Sequence, residues 1–402
     1  MKSDKTTPNV PTLRFREFTD GWRLMPLKKL LCFQNGINAD SDKYGKGVKF
    51  ISVSDILNNQ YITYDCIKGL IDIDEKTMEK FLVEYGDMLF QRSSETFEDI
   101  GRANVYLDKE HPATFGGFVI RGKKISEYNP LFFRYLLCTP NARKQTVRMG
   151  AGAQHYNIGQ DGLGKISLYF PAIQEQQKIA AFLSAIDDRI AVQNKIISKY
   201  ETLIKGIYHE FFSKPADYAI KIKDLIIKGK AGGTPSSTVA RYYNGDIPFL
   251  SISDMTKQGK YVSHTEKHIS ESGIEDSSAW IVPSNSLIFS MYASVGLVCI
   301  NTVPLATSQA MFSMVLKDCR MIEYIYYYLN FFRDTKIHRH IETGTQSNIN
   351  AETVRNIEIP FQSNCSKLVE TLNSIEKRLN NEKDMLSLLV DLKAYLLSKL
   401  FI

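Results

Sequence analysis

Apolar side chains recur at alternating spacings of three and four along two long stretches of the chain, one after Pro171 and one after Pro360. Each stretch covers about forty residues, and alternation over so many heptads predicts the seam of a coiled coil. A helix of this length would extend roughly 60 Å. The predicted seam consists of Leu183, Ile186, Ile190, Gln193 and Ile197 in the first helix and of Leu372, Ile375, Leu379, Glu382 and Leu386 in the second.

The segments that precede the two helices resemble each other and predict an internal repeat. Phe50–Ile56 recurs as Phe249–Met255, and Tyr135-Leu136 recurs as Tyr328-Leu329. The interval between matching positions drifts slowly along the chain, which indicates one frame with loops of different length. Short apolar runs bounded by Gly, Asn and Asp predict strands, and other stretches predict helices. Each globular segment is therefore expected to be a mixed α/β domain.

The chain is predicted to alternate globular domains with long helices. The expected segments are 1–171 for the first domain, 172–212 for the first helix, 213–360 for the second domain and 361–402 for the second helix. The predicted fold class is α/β (α+β), with two similar domains separated by an antiparallel coiled coil and related by a pseudo-two-fold axis. The alternative is that two amphipathic helices pack separately into globular cores.

Composition favours a soluble, cytoplasmic protein. The 402 residues are 44% hydrophobic and 23% charged. The cysteines occur singly, which fits neither a disulfide framework nor a zinc ribbon and favours a reducing compartment. The opening residues are polar and lack the apolar core of a signal peptide. Residues 277–316 carry no charge, but Pro283 and Pro304 interrupt any membrane span, so we expect buried strands there and no membrane contact.

The distribution of charge is more informative than the net charge of +6. No acidic residue occurs between Glu127 and Asp161, and this basic stretch leads into a glycine-rich loop at 150–154. Such residues can contact phosphates and present amide groups to base edges. A solvated helix face is the simpler interpretation of one charged stretch. A similar stretch recurs in the second half, however, and the recurrence favours nucleic acid.

The candidate DNA-binding residues follow from these two stretches and from the loops after two predicted strands. In the first half they are Arg92, Ser93, Arg102, Arg143, Lys144, Arg148, Gln154, His155, Tyr156 and Asn157. In the second half they are Tyr292, Lys336, Arg339, Thr345, Gln346, Ser347 and Asn348. Arg143 is expected to contact phosphate, whereas Gln154–Asn157 and Thr345–Asn348 are expected to include base-reading groups. The loop after Phe90 is longer and more charged than the loop after Phe289, which predicts unlike target sequences.

Patterns that would carry catalysis or hold a metal are weak. Gly229–Pro235 has the wrong order for a phosphate-binding loop, and Glu266 between His264 and His268 is wrongly placed for a zinc protease. Asp74-Glu75-Lys76 is too short a combination to indicate a metal-dependent nuclease. A structural role is the simpler interpretation of each. The chain is therefore expected to have no catalytic residues and to bind no metal.

Several segments carry a resemblance to a known family. They are Pro11–Trp22, Phe170–Ile179, Gly232–Ser236 and Tyr242–Phe249. Together with the twofold order of domain and helix, they resemble the specificity subunits of type I restriction-modification systems over essentially the whole chain. The first half departs from this pattern, because Gln34–Asn38 stands where the second half has Gly-Gly-Thr-Pro. The second helix also lacks the Gln-Glu-Gln-Gln with which the first begins.

The resemblance implies a function that the residues alone do not give. It implies that each domain reads one half of a split, asymmetric target in double-stranded DNA and that the helix pair holds the domains apart. It implies modification (methyltransferase) subunits and motor-nuclease (restriction) subunits as partners. Those partners would use S-adenosylmethionine, ATP and Mg, and this chain would bind no cofactor. A coiled-coil adaptor without sequence-specific DNA binding, and a single-chain nuclease or methyltransferase, are the alternatives.

Overall fold

The computed structural model describes residues 9–152, 155–292, 294–340 and 348–402. The chain divides into two compact units. Unit 1 consists of Met1–Lys195 and Lys383–Ile402, and unit 2 consists of Ile196–Glu382. Each unit is built around one globular domain.

The strands and helices of unit 1 alternate along the chain. Its strands are β1 Arg23–Pro26, β2 Leu31–Asn35, β3 Tyr44–Ile51, β4 Leu70–Ile71, β5 Met88–Gln91, β6 Ser93–Ser94, β7 Ala103–Val105, β8 Thr114–Phe115, β9 Val119–Lys124, β10 Tyr156–Asn157 and β11 Ser167–Phe170. Its helices are α1 Val53–Asn58, α2 Glu75–Lys80, α3 Pro130–Cys138, α4 Pro140–Arg148, α5 Gln160–Lys165 and the first long helix, α6 Ile173–Phe212, which continues into unit 2.

The main sheet of unit 1 is antiparallel, in the order β2-β9-β5-β7. Side chains alternate across a strand, so the central strand β5 faces two cores. Phe90 packs in a core that includes Phe132 and Phe133 of α3, and Leu89 packs in a smaller core with Tyr106. The second sheet has the order β4-β3-β8, with β3 and β8 parallel. Strands β1 and β11 pair where the chain enters α6.

Unit 2 contains the corresponding elements. Its strands are β12 Tyr218–Lys221, β13 Ile226–Ala231, β14 Ile247–Leu250, β15 Tyr261–Val262, β16 Lys267–Ile269, β17 Ile281–Val282, β18 Ser286–Ser290, β19 Val298–Asn301, β20 Leu305–Thr307, β21 Met311–Leu316 and β22 Glu358–Phe361. Its helices are α7 Ile222–Leu225, α8 Ile252–Gln258, α9 Glu271–Glu275, α10 Ile322–Thr335, α11 Ala351–Arg355 and the second long helix, α12 Cys365–Lys399, which continues into unit 1.

The sheets of unit 2 repeat the pairing of unit 1. The sheet β13-β21-β18-β19-β15 corresponds to β2-β9-β5-β7 with one added strand, and β16-β14-β20-β17 corresponds to β4-β3-β8. Strands β14 and β20 are parallel, as β3 and β8 are. Strand β12 pairs with β22 as β1 pairs with β11. The uncharged segment 277–316 contributes β17 to β21, so the buried strands predicted there are confirmed, as is the prediction of two similar α+β domains.

The sequence that the two domains most clearly share is a helix cap. The backbone N–H of Ser52 donates to Asp55 Oδ2 at 2.8 Å, and the backbone N–H of Ser251 donates to Asp254 Oδ2 at 2.9 Å. Both pairs form a capping box, which satisfies backbone donors at the first turn of α1 and of α8. The repeated motif therefore serves the fold rather than a binding site.

Gly36 and Gly232 have the same structural role. The N–H of Gly36 donates to the carbonyl of Val119 at 3.2 Å, and the N–H of Gly232 donates to the carbonyl of Met311 at 3.1 Å. A Cβ at Gly36 would lie 2.1 Å from a backbone oxygen of Gly116, and one at Gly232 would lie 2.0 Å from a backbone oxygen. The apparent departure of the first half from the Gly-Gly-Thr-Pro pattern therefore retains the glycine that close backbone approach requires.

The start of α6 is anchored by residues that carry the family resemblance. Arg14 donates from Nε and Nη2 to the two carboxylate oxygens of Glu175, each at 2.8 Å, and Trp22 Nε1 donates to Glu175 at 3.3 Å. Gln176 Oε1 accepts from the backbone N–H of Asn129 at 2.9 Å. A bidentate arginine–carboxylate pair is strong and directional. These residues thus fix the chain opening and α3 against the long helix.

In unit 1 the first turns of α6 lie beside the last turns of α12. Leu183 of α6 shares a core with Leu396 and Leu400. Lys393 Nζ lies 2.5 Å from Asp187 Oδ1. The beginning of one long helix therefore packs on the end of the other.

In unit 2 the last turns of α6 lie beside the first turns of α12. Phe211 and Phe212 share a core with Leu368 and Leu372, and Gln362 Nε2 donates to the carbonyl of Phe211 at 3.1 Å. The contacts in the two units give the long helices opposite directions. The predicted antiparallel arrangement is therefore confirmed.

The predicted seam residues are among the less exposed positions of both long helices. Leu183, Ile186, Gln193, Ile197, Leu372 and Leu379 are buried, and Ile190, Ile375, Glu382 and Leu386 are half-buried. None of the helices in the described part of the chain is long and apolar enough to cross a membrane.

Candidate nucleic-acid interface

Backbone hydrogen bonds in unit 1 bring together three loops that are distant in sequence. The N–H of Arg92 donates to the carbonyl of Phe118 at 2.8 Å, and the N–H of Ile158 donates to the carbonyl of Arg92 at 3.0 Å. Strands β6 and β10 pair beside these bonds. We call residues 91–102, 116–118 and 155–158 the loop cluster of unit 1. Among the predicted DNA-binding residues it contains Arg92, Ser93, Arg102 and the segment 155–157.

The same backbone bonds occur in unit 2. The N–H of Met291 donates to the carbonyl of Ala310 at 2.7 Å, and the N–H of Ile349 donates to the carbonyl of Met291 at 3.0 Å. Tyr292 forms a bridge with Asn348, as β6 does with β10. Residues 290–292, 294–296, 308–310 and 348–349 form the loop cluster of unit 2. One backbone frame therefore presents different side chains in the two units.

Several side chains of the unit 1 loop cluster form hydrogen bonds or ring contacts with residues of the same cluster. Ser93 Oγ donates to Asn157 Oδ1 at 2.5 Å, and Asn157 Nδ2 donates to the carbonyl of His155 at 3.3 Å. The ring of Tyr156 packs edge-on against Phe97, with 5.2 Å between centroids. His155 and Asn157 are exposed. Asn157 thus holds its own segment together and is also exposed to solvent.

The cations predicted for unit 1 fall into two groups. Lys144 and Arg148 of α4 are exposed, and Arg102 is exposed with its Nη2 2.6 Å from Asp99. A hydrogen bond from Thr96 and the charges of Arg102 and Arg143 lower the pKa of Asp99. Lys144 and Arg148 are the cations of this group that point to solvent at the end of α4.

Arg143 and Arg92 have structural contacts instead. Arg143 Nη2 donates to the carbonyls of Glu98 and Ile100 at 2.8 and 2.7 Å, and Arg92 Nη1 donates to the carbonyl of Gly117 at 3.2 Å. Charge assistance makes such bonds stronger than neutral ones. The phosphate contact predicted for Arg143 therefore competes with a role in holding the 91–102 loop.

The cations predicted for unit 2 lie at the end of α10. Arg339 is exposed, whereas Lys336 is half-buried, with its Nζ 3.4 Å from the hydroxyl of Tyr328 and 5.6 Å from the centroid of Phe331. Tyr292 is 40% exposed. The side chain of Lys336 thus covers aromatic surface, as long cationic side chains often do.

Asp334 separates this group from the long helix. Its carboxylate accepts from Tyr208 at 3.1 Å and lies 2.9 Å from Lys205 and 3.2 Å from His209. Burial alone would raise the pKa of Asp334, but hydrogen bonds from Lys205 and His209 outweigh burial and lower that pKa to about 2. The carboxylate of Asp334, which lies within this basic stretch, is therefore paired with side chains of α6.

Some of the predicted base-reading residues lie outside the described residues, namely Gln154, Thr345, Gln346 and Ser347. Residues 116–118 were not among the residues predicted from the sequence. Within the described ranges, no group of three or more His, Cys, Asp or Glu side chains is arranged to hold a metal ion.

Comparisons with known proteins agree on one family. A family model described as type I restriction modification DNA specificity domain matches residues 20–202 and 217–385. The HindI specificity subunit of Haemophilus influenzae is 24% identical over 435 residues, which cover 84% of this chain and 92% of the relative. The MjaIX specificity subunit of Methanocaldococcus jannaschii is 28% identical over 193 residues, which cover 47% of this chain and 44% of the relative.

Solved structures share the fold. The S subunit of a type I restriction-modification system from M. genitalium superposes with a TM-score of 0.57 at 14% identity, covering 98% of this chain and 99% of that one. A chain from a structural study of assembly and conformational transition in the type I R-M system gives a TM-score of 0.58 at 14% identity, covering 96% and 98%.

Proposed function

The chain belongs to the type I restriction modification DNA specificity family, and from this premise we propose that it supplies the DNA sequence preference of a type I restriction-modification complex. Unit 1 reads one half of a bipartite target in double-stranded DNA, and unit 2 reads the other half. The observation that carries this proposal is the loop cluster, because one backbone frame occurs in both units with different side chains. Unlike readers built on one frame fit an asymmetric target.

The chain itself acts in this proposal without catalysis. S-adenosylmethionine, ATP and Mg are used by modification and restriction subunits in the cytoplasm, and this chain holds none of them. Its contribution is to place partners on one DNA sequence. The long helices set the spacing between the two half-sites.

An apolar stripe on α12 supports docking of a modification subunit. Met385, Leu388, Leu392 and Tyr395 are 49%, 64%, 44% and 56% exposed, and they follow one another at spacings of three, four and three. This is a second apolar stripe on the helix, beside the buried seam. An exposed stripe of this kind is typical of a helix that receives another helix. We therefore assign it to the modification subunit.

The docking assignment has a direct test. Leu388→Asp should abolish co-purification of the modification subunit, because it places a charge within the apolar stripe. Ser387→Asp is the matched control, since Ser387 is exposed on the same helix outside the stripe. Equal recovery of the partner with both variants would contradict the assignment.

The function is tested by sequencing methylated adenines in cells that carry this chain and its partner subunits. We expect one bipartite, non-palindromic motif. A palindromic motif or one continuous site would contradict the proposal. The adaptor alternative predicts no sequence preference, and gel shifts at two salt concentrations would then lack the steep salt dependence of phosphate contacts.

A further inference from the structure

A shallow cleft of about 420 Å³ opens in the loop cluster of unit 1. Gln91, Glu95, Asp99 and Phe118 are among the residues that line it. The cleft lies beside the β6–β10 pair, where the predicted DNA-binding residues gather. Neither Gln91 nor Phe118 was among the residues predicted from sequence.

Gln91 offers an acceptor that is not used within the protein. Its side chain is only 6% exposed, and its Nε2 donates to the carbonyl of Ser93 at 2.9 Å. Its Oε1 is buried and has no hydrogen-bond partner among the described residues. An unpaired buried acceptor is costly, and Gln91 lines the cleft, so a small shift of its side chain would offer this oxygen to a donor on a ligand there. Because Nε2 is engaged, Gln91 can accept from an amino group but cannot form a bidentate pair with adenine.

Phe118 supplies a fixed apolar surface next to this acceptor. Its side chain is 70% exposed at the turn between β8 and β9. Arg92 holds the turn through two bonds, from its backbone N–H to the carbonyl of Phe118 and from its Nη1 to the carbonyl of Gly117. The ring is therefore presented to solvent by a braced backbone.

Unit 2 lacks both features at the corresponding positions. By the matching pattern of backbone bonds, Ser290 of unit 2 corresponds to Gln91 of unit 1, and Ala310 corresponds to Phe118. Ser290 Oγ donates to the carbonyl of Ser294 and accepts from the N–H of Leu297 at 3.1 Å, so its hydroxyl is satisfied. The acceptor and the aromatic ring thus distinguish the two readers.

The charged side chains that line the cleft determine which part of DNA can bind there. Asp99 is paired with Arg102 at 2.6 Å, but the carboxylate of Glu95 disfavours phosphate, so a base edge fits the cleft better than the DNA backbone. In the major groove an A·T pair presents the N6 amino donor of adenine and the methyl group of thymine together. We propose that Gln91 Oε1 accepts from the adenine amino group and that Phe118 packs on the thymine methyl of one A·T pair in the half-site of unit 1. This inference rests on the proposed function.

The test uses the complete chain bound to its modification subunit and the target motif found by methylation mapping. Deoxyuridine replaces thymine, or purine replaces adenine, at one position at a time. At one A·T pair of one half-site, each replacement should weaken binding of the wild-type complex roughly tenfold. With Phe118→Ala, which copies the residue of unit 2, the effect of deoxyuridine should vanish at that pair and the other half-site should be unaffected.

Ile125→Ala is the control, since Ile125 is 56% exposed in unit 1 outside the cleft and should leave the wild-type pattern unchanged. The inference is overturned if no pair responds to both replacements, or if Phe118→Ala keeps the full effect of the thymine methyl. Absence of any sequence preference in the wild-type complex would instead overturn the proposed function.

Discussion

The hydroxyl of Tyr135 donates to Asp187 Oδ2 at 2.8 Å and so joins the globular domain of unit 1 to the first long helix. In unit 2 the hydroxyl of Tyr327, the residue before the repeat-equivalent Tyr328, donates to Asn373 of the second long helix at 3.2 Å. In unit 1 the cation beside the carboxylate is Lys393 of α12. Each domain is thus tied to a long helix by a buried tyrosine.

Tyr135→Phe should lower the free energy of unfolding by about 1.5–3 kcal/mol, because it removes a hydrogen bond to a buried charged group. Denaturant unfolding monitored for unit 1 measures the change. Tyr395→Phe is the control, since Tyr395 is 56% exposed and should change the unfolding free energy by less than about 0.5 kcal/mol. Equal effects of the two variants would show that the hydroxyl of Tyr135 contributes nothing to this joint.

Gly36→Ala should be strongly destabilising, since the added Cβ would lie 2.1 Å from a backbone oxygen. We expect a loss of at least about 1–3 kcal/mol, as for other forced overpacking. Gly206→Ala should behave in the opposite way, because Gly206 lies within α6 and a Cβ added there would meet nothing within 4 Å. Alanine there should stabilise by up to about 1 kcal/mol. Thermal and denaturant unfolding of both variants measure the predicted loss of stability for Gly36→Ala and the predicted gain for Gly206→Ala.

The sequence predicts the fold better than it predicts the candidate DNA-binding site, and the reason is physical. The long helices and the repeat follow from local periodicity and from the order of motifs, so they were predictable. The loop clusters depend on backbone bonds between distant segments, such as the bond from Arg92 to Phe118, and no local pattern indicates them. For the same reason charge alone suggested a phosphate contact for Arg143, whose guanidinium binds two carbonyls of a loop some forty residues away.

Lys144→Ala and Arg143→Ala should therefore have different effects. Lys144 is exposed, so its loss should weaken binding to all DNA sequences and reduce the slope of log binding constant against log salt by about 1. Arg143→Ala should mainly lower the thermal stability of unit 1, because the carbonyls of Glu98 and Ile100 lose their donor. Binding measured at several salt concentrations, together with unfolding curves, separates the two. A full phosphate-type salt effect for Arg143→Ala with unchanged stability would restore its predicted role.

Asp334→Asn should destabilise unit 2 in a manner that depends on pH. The folded-state pKa of Asp334 is lowered to about 2, so its ionised form contributes stability above the unfolded pKa of roughly 3.9. The difference between wild type and variant should be about 1 kcal/mol near pH 7 and should shrink as pH falls from about 4 to 2. Urea unfolding at several pH values measures it. A difference that grows on acidification would contradict this sign.

Lengthening both long helices by one heptad should move the half-sites apart. Seven added residues preserve the alternation of three and four along the seam, and they lengthen each helix by about 10 Å. Since DNA rises roughly 3.4 Å per base pair, the unspecified gap should grow by up to about 3 base pairs while both half-site sequences stay the same. A three-residue insertion in each helix should impair activity instead, because it turns the seam residues away from their partners. Methylation mapping of both variants provides the readout. An unchanged gap with full activity in the seven-residue variant would show that partner subunits, and not the helices, set the spacing.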